Sequence, residues 1–223
     1  MGGRGVGFVA LSLAVGALVA AAPTGAATFS NSTPMNTPGS GGGVATPYPS
    51  TISVSGVPGT TTKVRVALTD IFAAAKDLDV LLTGPGGSTM LFSDICESGG
   101  VLPDLIHLTY TSDDDAAAAL PSTCTSAPPS GTYKPSNYDT SDSFPGVSPP
   151  YPLGLGNFRG VPPDGAWQLY VFDDQPADAA SIGGWTLDLT TTGATPAVTK
   201  KKCKKHKHRS ASAAKKRCKK KRR

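Results

Sequence analysis

From about Thr51 the chain alternates apolar and polar residues with a period of two, the repeat of a strand that buries one face. Thr51-Ile52-Ser53-Val54-Ser55 alternates and then turns at Gly56 and Pro58-Gly59; Lys63 to Leu68 alternates again. Asp77-Leu78-Asp79-Val80-Leu81-Leu82 and Thr89-Met90-Leu91-Phe92 flank Gly84-Pro85-Gly86-Gly87. Glycine reaches positive φ without steric cost and proline presets its own φ, so this pair is expected to be a hairpin. Residues 105–111 form a further strand candidate, and two strong strands close the body, Gly165 to Phe172 and Gly184 to Leu189. Trp167, Leu169 and Val171 fall on one face of the first, and Trp185, Leu187 and Leu189 on one face of the second. Those two faces are expected to pack into a single core. Helix is expected at most for a turn or two, at residues 71–78 and 116–120.

The flanks read differently. Arg4, then an apolar or small run from Val6 to Ala22 closed by Pro23 and Gly25-Ala26-Ala27, has the layout of a secretory signal peptide, with cleavage after Ala27 as first choice and after Ala22 as second. The run is short for a membrane span and rich in Ala and Gly, which argues against an uncleaved anchor and for a chain that is not an integral membrane protein after processing. Residues 28–49 are mostly Thr, Ser, Asn, Pro and Gly, the composition of a flexible or extended leader. Residues 121–157 are dense in Pro, Ser, Gly and Tyr; Tyr133, Tyr138, Phe144 and Tyr151 suggest that parts of this loop fold back on the strands. The expected organisation is a signal peptide over 1–27, a leader over 28–49, a β-sandwich over 50–192, and a linker with a basic tail over 193–223.

The body resembles the P domain (P/Homo B domain) that follows the catalytic domain of subtilisin-like proprotein convertases and also occurs in bacterial secreted proteins. The likeness rests on the D-L-x-V-x-L strand, the Gly-Pro-x-Gly turn and the returning strand at residues 77–92. It continues with Phe158-Arg159-Gly160, with Gly165, Trp167, Leu169, Val171 and Asp173, and with Trp185, Leu187 and Leu189. It covers residues 50–191 and departs from the family at the long Pro-rich loop and at Ala177-Asp178-Ala179-Ala180. The resemblance implies an all-β fold, a jelly-roll β-sandwich of about eight strands. It also implies a supporting role beside a serine protease rather than catalysis.

The candidate chemistry agrees with that. A serine nucleophile needs a base within hydrogen-bond reach and usually an orienting carboxylate. His107 is the body's single histidine, it sits in a strand, and no G-x-S-x-G elbow occurs. The chain therefore reads as a non-enzyme. Calcium takes several hard oxygen ligands, often from a Gly/Asp-rich loop. Asp173, Asp174 and Asp178, between the two Trp strands, are the expected ligands, with Asp113-Asp114-Asp115 and the pair Asp77 and Asp79 as further acidic groups. Tyr133, Tyr138 and Tyr151 are the candidates for an exposed polysaccharide-binding surface. An oxidising compartment suits four cysteines, with Cys96–Cys124 and Cys203–Cys218 the local pairs among three connectivities.

Charge is divided sharply along the chain. Residues 28–199 hold five Lys or Arg against 16 Asp or Glu, a balance of −11, while residues 200–223 hold 15 Lys or Arg and no acid. The basic residues are Lys200, Lys201, Lys202, Lys204, Lys205, Lys207, Arg209, Lys215, Lys216, Arg217, Lys219, Lys220, Lys221, Arg222 and Arg223. Such a segment repels itself, has nothing apolar to bury, and is expected to be disordered when free and to bind polyanions through salt-sensitive charge neutralisation. With a signal peptide upstream, the expected ligand is an anionic cell-envelope polymer or surface rather than intracellular nucleic acid. Cys203, His206 and His208 form a weak soft-metal candidate in the same segment. The sequence thus points to an exported, envelope-associated, non-enzymatic module, or to an accessory domain for a separately encoded secreted protease.

Overall fold

The computed structural model describes residues 24–40, 42–97, 103–175 and 178–193. The signal-peptide reading of 1–23 and every tail assignment, including Cys203, Cys218 and the Lys and Arg residues from 200 to 223, lie outside the described residues.

Two sheets build the molecule. The first runs β1 (Thr24–Asn31), β11 (Ser181–Thr192), β5 (Thr61–Ala74), β8 (Asp104–Ser112), β9 (Gly131–Tyr133), with β2 (Met35–Asn36) also on β11. The second runs β3 (Gly43–Val44), β10 (Gly165–Asp173), β6 (Leu78–Gly84), β7 (Gly87–Phe92), with β4 (Ser50–Val54) also on β10. All pairs are antiparallel except β8 with β9. The architecture is an all-β sandwich, and its core lies between the sheets. Trp167, Leu169 and Val171 enter it from β10, and Trp185, Leu187 and Leu189 from β11, all at most 1 % exposed. Each indole N–H has an acceptor inside: Trp167 Nε1 donates to Pro163 O at 2.9 Å and Trp185 Nε1 to Ser50 Oγ at 3.0 Å. Both aromatics therefore bury their area without orphaning a donor.

β6 and β7 form the expected hairpin, closing at the Gly84–Gly87 pair. The expectations fail in two places. Residues 71–74 are strand rather than helical turn: Phe72, Ala73 and Ala74 pair with Ile106, Leu105 and Asp104, and Ile71 and Ala73 are buried. The helical appearance of the Ala run yields to the inter-strand pairing. The second failure is the leader. Thr24–Asn31 pairs residue for residue with Thr192–Trp185, Met35 is wholly buried, and β3 pairs with β10. The described residues of 28–49 are therefore part of the sandwich, whose first described strand starts at Thr24. A cut after Ala27 would remove the first half of β1, whereas a cut after Ala22 leaves it whole.

The long loop between β9 and β10 is an outer layer over the second sheet. Phe144 packs on Leu81 and Met90, with Val147, Tyr151, Tyr170 and Phe172 around them. Tyr151 Oη donates to Val147 O at 2.8 Å and accepts from Phe144 N at 3.1 Å. Met90 N donates to Pro152 O and Thr89 Oγ1 to Gly154 O, pinning the far end to β7. Cys96 and Cys124 are joined by a disulfide beside the core.

Candidate metal centre

Asp79 lies on β6 between Leu78 and Val80, which point into the inter-sheet core, so its side chain takes the opposite face, the one Leu81 shares. The loop layer covers that face. Asp79 is 1 % exposed, and neither carboxylate oxygen has a hydrogen-bond partner. An unpaired carboxylate in such a place is strongly disfavoured.

Other acids converge on it. Asp174 follows β10, and Asp142 comes from the loop layer; one carboxylate oxygen from each of Asp79, Asp142 and Asp174 lies within 4.8 Å of the others. Asp142 belongs to a second such group with Asp94, just after β7, and Asp139. Ser93 joins the two groups, its Oγ standing 2.6 Å from Asp94 Oδ2 and 2.5 Å from Asp142 Oδ2. A hydroxyl carries one proton and donates once. Ser93 therefore donates to only one of these two carboxylates at a time.

The electrostatics follow from burial first and repulsion second. Burial pushes the Asp79 carboxyl up to about 9, with the charges of Asp142, Asp94 and Asp174 adding to it. Ser93 pulls that value down, but its single proton already goes to Asp94 or Asp142. Burial raises Asp94 to about 6 against the opposing hydrogen bond from Ser93. Asp142 and Asp174 are raised as well, again chiefly by burial. Lys76 stands nearby, but its ammonium pairs with Asp77. The site is thus built of oxygen donors with too little positive charge among them, the chemistry that suits a hard cation.

The residues expected to bind calcium divide. Asp174 is in the acidic group. Asp173 is not: it is buried and satisfied, Oδ2 accepting from Thr37 Oγ1 at 3.1 Å and Oδ1 from Gln175 N at 3.2 Å, so it fastens the β2–β3 segment to β10. Asp178 is exposed and belongs to neither group. The sequence offered Asp79 only with Asp77 as a further acidic pair and gave Asp94, Asp139 and Asp142 no role.

The remaining candidates are structural in this fold. Asp113 binds Lys63 at 2.9 Å and Arg65 at 3.0 Å, Asp115 binds Lys63 at 2.7 Å, and Asp114 accepts from Leu155 N at 2.8 Å. Tyr133 packs edge-on against Tyr110 and donates to Pro129 O; Tyr138 donates to Leu120 O. With Tyr151 tied to Val147, these hydroxyls hold the loops. His107 Nδ1 meets Asp70 Oδ1 at 2.6 Å on the open surface, their side chains 75 % and 62 % exposed, where both residues take left-handed φ values at the irregular stretch of the β5–β8 pairing. The described residues carry no catalytic triad, and among them no helix is long and apolar enough to cross a membrane.

No family model and no curated protein matches the chain. Among solved structures it is similar to the complex of a serine protease from Aeromonas sobria with its chaperone, at 14 % identity and a TM-score of 0.37. That similarity covers 77 % of this chain and 28 % of the matched chain, so this chain spans less than a third of the length of the chain it matches.

Proposed function

We propose that the chain is an exported, non-catalytic module of the P-domain type, a jelly roll, that acts as the accessory partner of a separately encoded subtilisin-like serine protease and stabilises or positions it. One observation carries this reading. Three of the four sequence segments on which the P-domain resemblance rests are neighbours in space: the β6–β7 hairpin pairs with β10, and Trp167 of β10 and Trp185 of β11 enter one core. Residues that resemble a family only in sequence have no reason to adjoin one another; these do.

The division of charge favours a second element. An acidic body and a tail of 15 Lys or Arg with no acid suit a module that its tail holds at an anionic cell-envelope polymer, with the body displayed outward.

The test is to mix the purified full-length chain with a subtilisin-like protease from the same culture medium. Co-elution and a several-fold longer half-life of the protease at elevated temperature support the partner role. Separate elution with an unchanged half-life overturns it. The tail is tested apart, by comparing full-length protein with a version ending at Thr199 in envelope and medium fractions at low and high salt. Both forms free in the medium would overturn the anchor and leave the partner role standing.

A further inference from the structure

We infer that Asp79, Asp142 and Asp174 bind one calcium ion, with Ser93 and Asp94 lining the site, and that this ion clamps the β9–β10 loop layer onto the second sheet. Two independent observations meet here. The first is the convergence of one oxygen from each of three acids within 4.8 Å. Ligands about 2.3–2.6 Å from a central calcium lie at most about 5 Å apart across it, so one ion reaches all three. The second is Asp79 itself, 1 % exposed, aimed into that group, and without a hydrogen-bond partner on either oxygen. A carboxylate with all its acceptor capacity unused, facing two more carboxylates, is satisfied by a cation and by little else.

The donor set chooses the cation. Oxygen donors with no His or Cys in either group disfavour zinc and other metals that prefer nitrogen or sulfur. Magnesium demands near-ideal octahedral geometry and sheds its water reluctantly. Calcium accepts irregular, carboxylate-rich sites assembled from separate segments. Those segments are β6, the exit of β7, the loop carrying Asp139 and Asp142, and the exit of β10. The ion would bridge the covering loop to the sheet beneath it, where like charges otherwise push the two apart.

The inference is independent of the protease partner, because it is read on the purified chain alone. The experiment strips the full-length protein with EDTA and follows thermal unfolding and titration calorimetry with calcium chloride, magnesium chloride as the comparison. Calcium at a hundred times its dissociation constant is expected to raise Tm by about 5–10 °C, and magnesium at the same concentration by clearly less. Asp79→Asn is expected to abolish the calcium shift while the EDTA-stripped protein melts at or above the wild-type temperature, since the cost of burying a carboxyl without a partner is gone. Asp142→Asn, in the loop, is expected to lose the shift with the fold intact. Limited proteolysis supplies the second readout: calcium should protect residues 134–154 in wild type and not in Asp142→Asn. A wild-type Tm unmoved by calcium, an equal response to magnesium, or a full shift retained in Asp79→Asn would each overturn the site.

Discussion

Met35 separates two pictures of the N-terminal segment. If residues 28–49 were a flexible leader, truncating this side chain would cost nothing. In the fold Met35 is wholly buried, paired across to Ile182, and part of the inter-sheet core. Met35→Ala removes three heavy side-chain atoms from that core. Their transfer is worth about 2 kcal/mol at about 0.8 kcal/mol per methylene equivalent, and the unfilled cavity adds to it, which places the loss at about 3 kcal/mol. For a domain of this size that is a Tm decrease of about 6–12 °C. Urea denaturation followed by the fluorescence of Trp167 and Trp185 reads it directly, both indoles being in the same core. Thr33→Ala, two residues away and exposed, is the control and should stay within about 0.5 kcal/mol of wild type. A Met35→Ala loss no larger than the control's, with an unchanged m-value, would refute the placement of β2 in the sandwich.

Gly84→Ala should destabilise by about 1–3 kcal/mol, because a β-carbon there would stand 2.6 Å from Trp167 Cε3 and the indole is held by Pro163; equilibrium denaturation showing no loss would mean that the hairpin does not close over Trp167. Burial raises the Asp113 carboxyl, but hydrogen bonds from Lys63 and Asp115 N, with the charges of Lys63 and Arg65, bring it below the usual range. Its contribution is therefore complete above the unfolded value near pH 4 and is lost as pH falls through the lower folded value. Asp113→Asn should cost about 1–2 kcal/mol at pH 7, and wild type and variant should converge in denaturation curves taken near pH 2. N-terminal sequencing of the exported protein should find a mature chain that begins upstream of Thr24, since β1 needs Thr24–Ala27 to pair with Leu189–Thr192; a chain beginning at Thr28 would show that half of β1 is dispensable.

Strands with one buried face and a sharp turn were legible, because period-two alternation and glycine-proline turns report on local geometry. The two Trp strands are of the first kind, and residues 77–92 were marked by their turn, although both faces of that hairpin are covered. β1 was not, because an edge strand with both faces partly open alternates only between exposed and half-buried positions, and Thr, Ser, Gly and Ala satisfy those without an apolar signal. The Ala73-Ala74-Ala75 run misled in the opposite direction, its helical propensity outweighed by pairing with β8 and by the burial of Ala73 and Ala75.

The acidic site depends on topology rather than on any local motif, which is why a search for closely spaced ligands settled on Asp173, Asp174 and Asp178. One signal was present in β6. Asp79 and Leu81 share a face by strand periodicity, and an apolar residue at 81 is a reason to expect that face to be covered. Once it is covered, Asp79 cannot be a solvating acid. The cover is the Pro- and Tyr-rich segment, and the same segment that places Phe144 on Leu81 and Met90 also delivers Asp142 to Asp79. The two contacts oppose each other: the apolar one draws the loop onto the sheet, while the carboxylates push it away as they ionise. A cation between them turns the repulsive contact into a second attachment. It would add to the fastenings the loop already has in the packing of Phe144 and Tyr151 and in the hydrogen bond from Thr89 to Gly154.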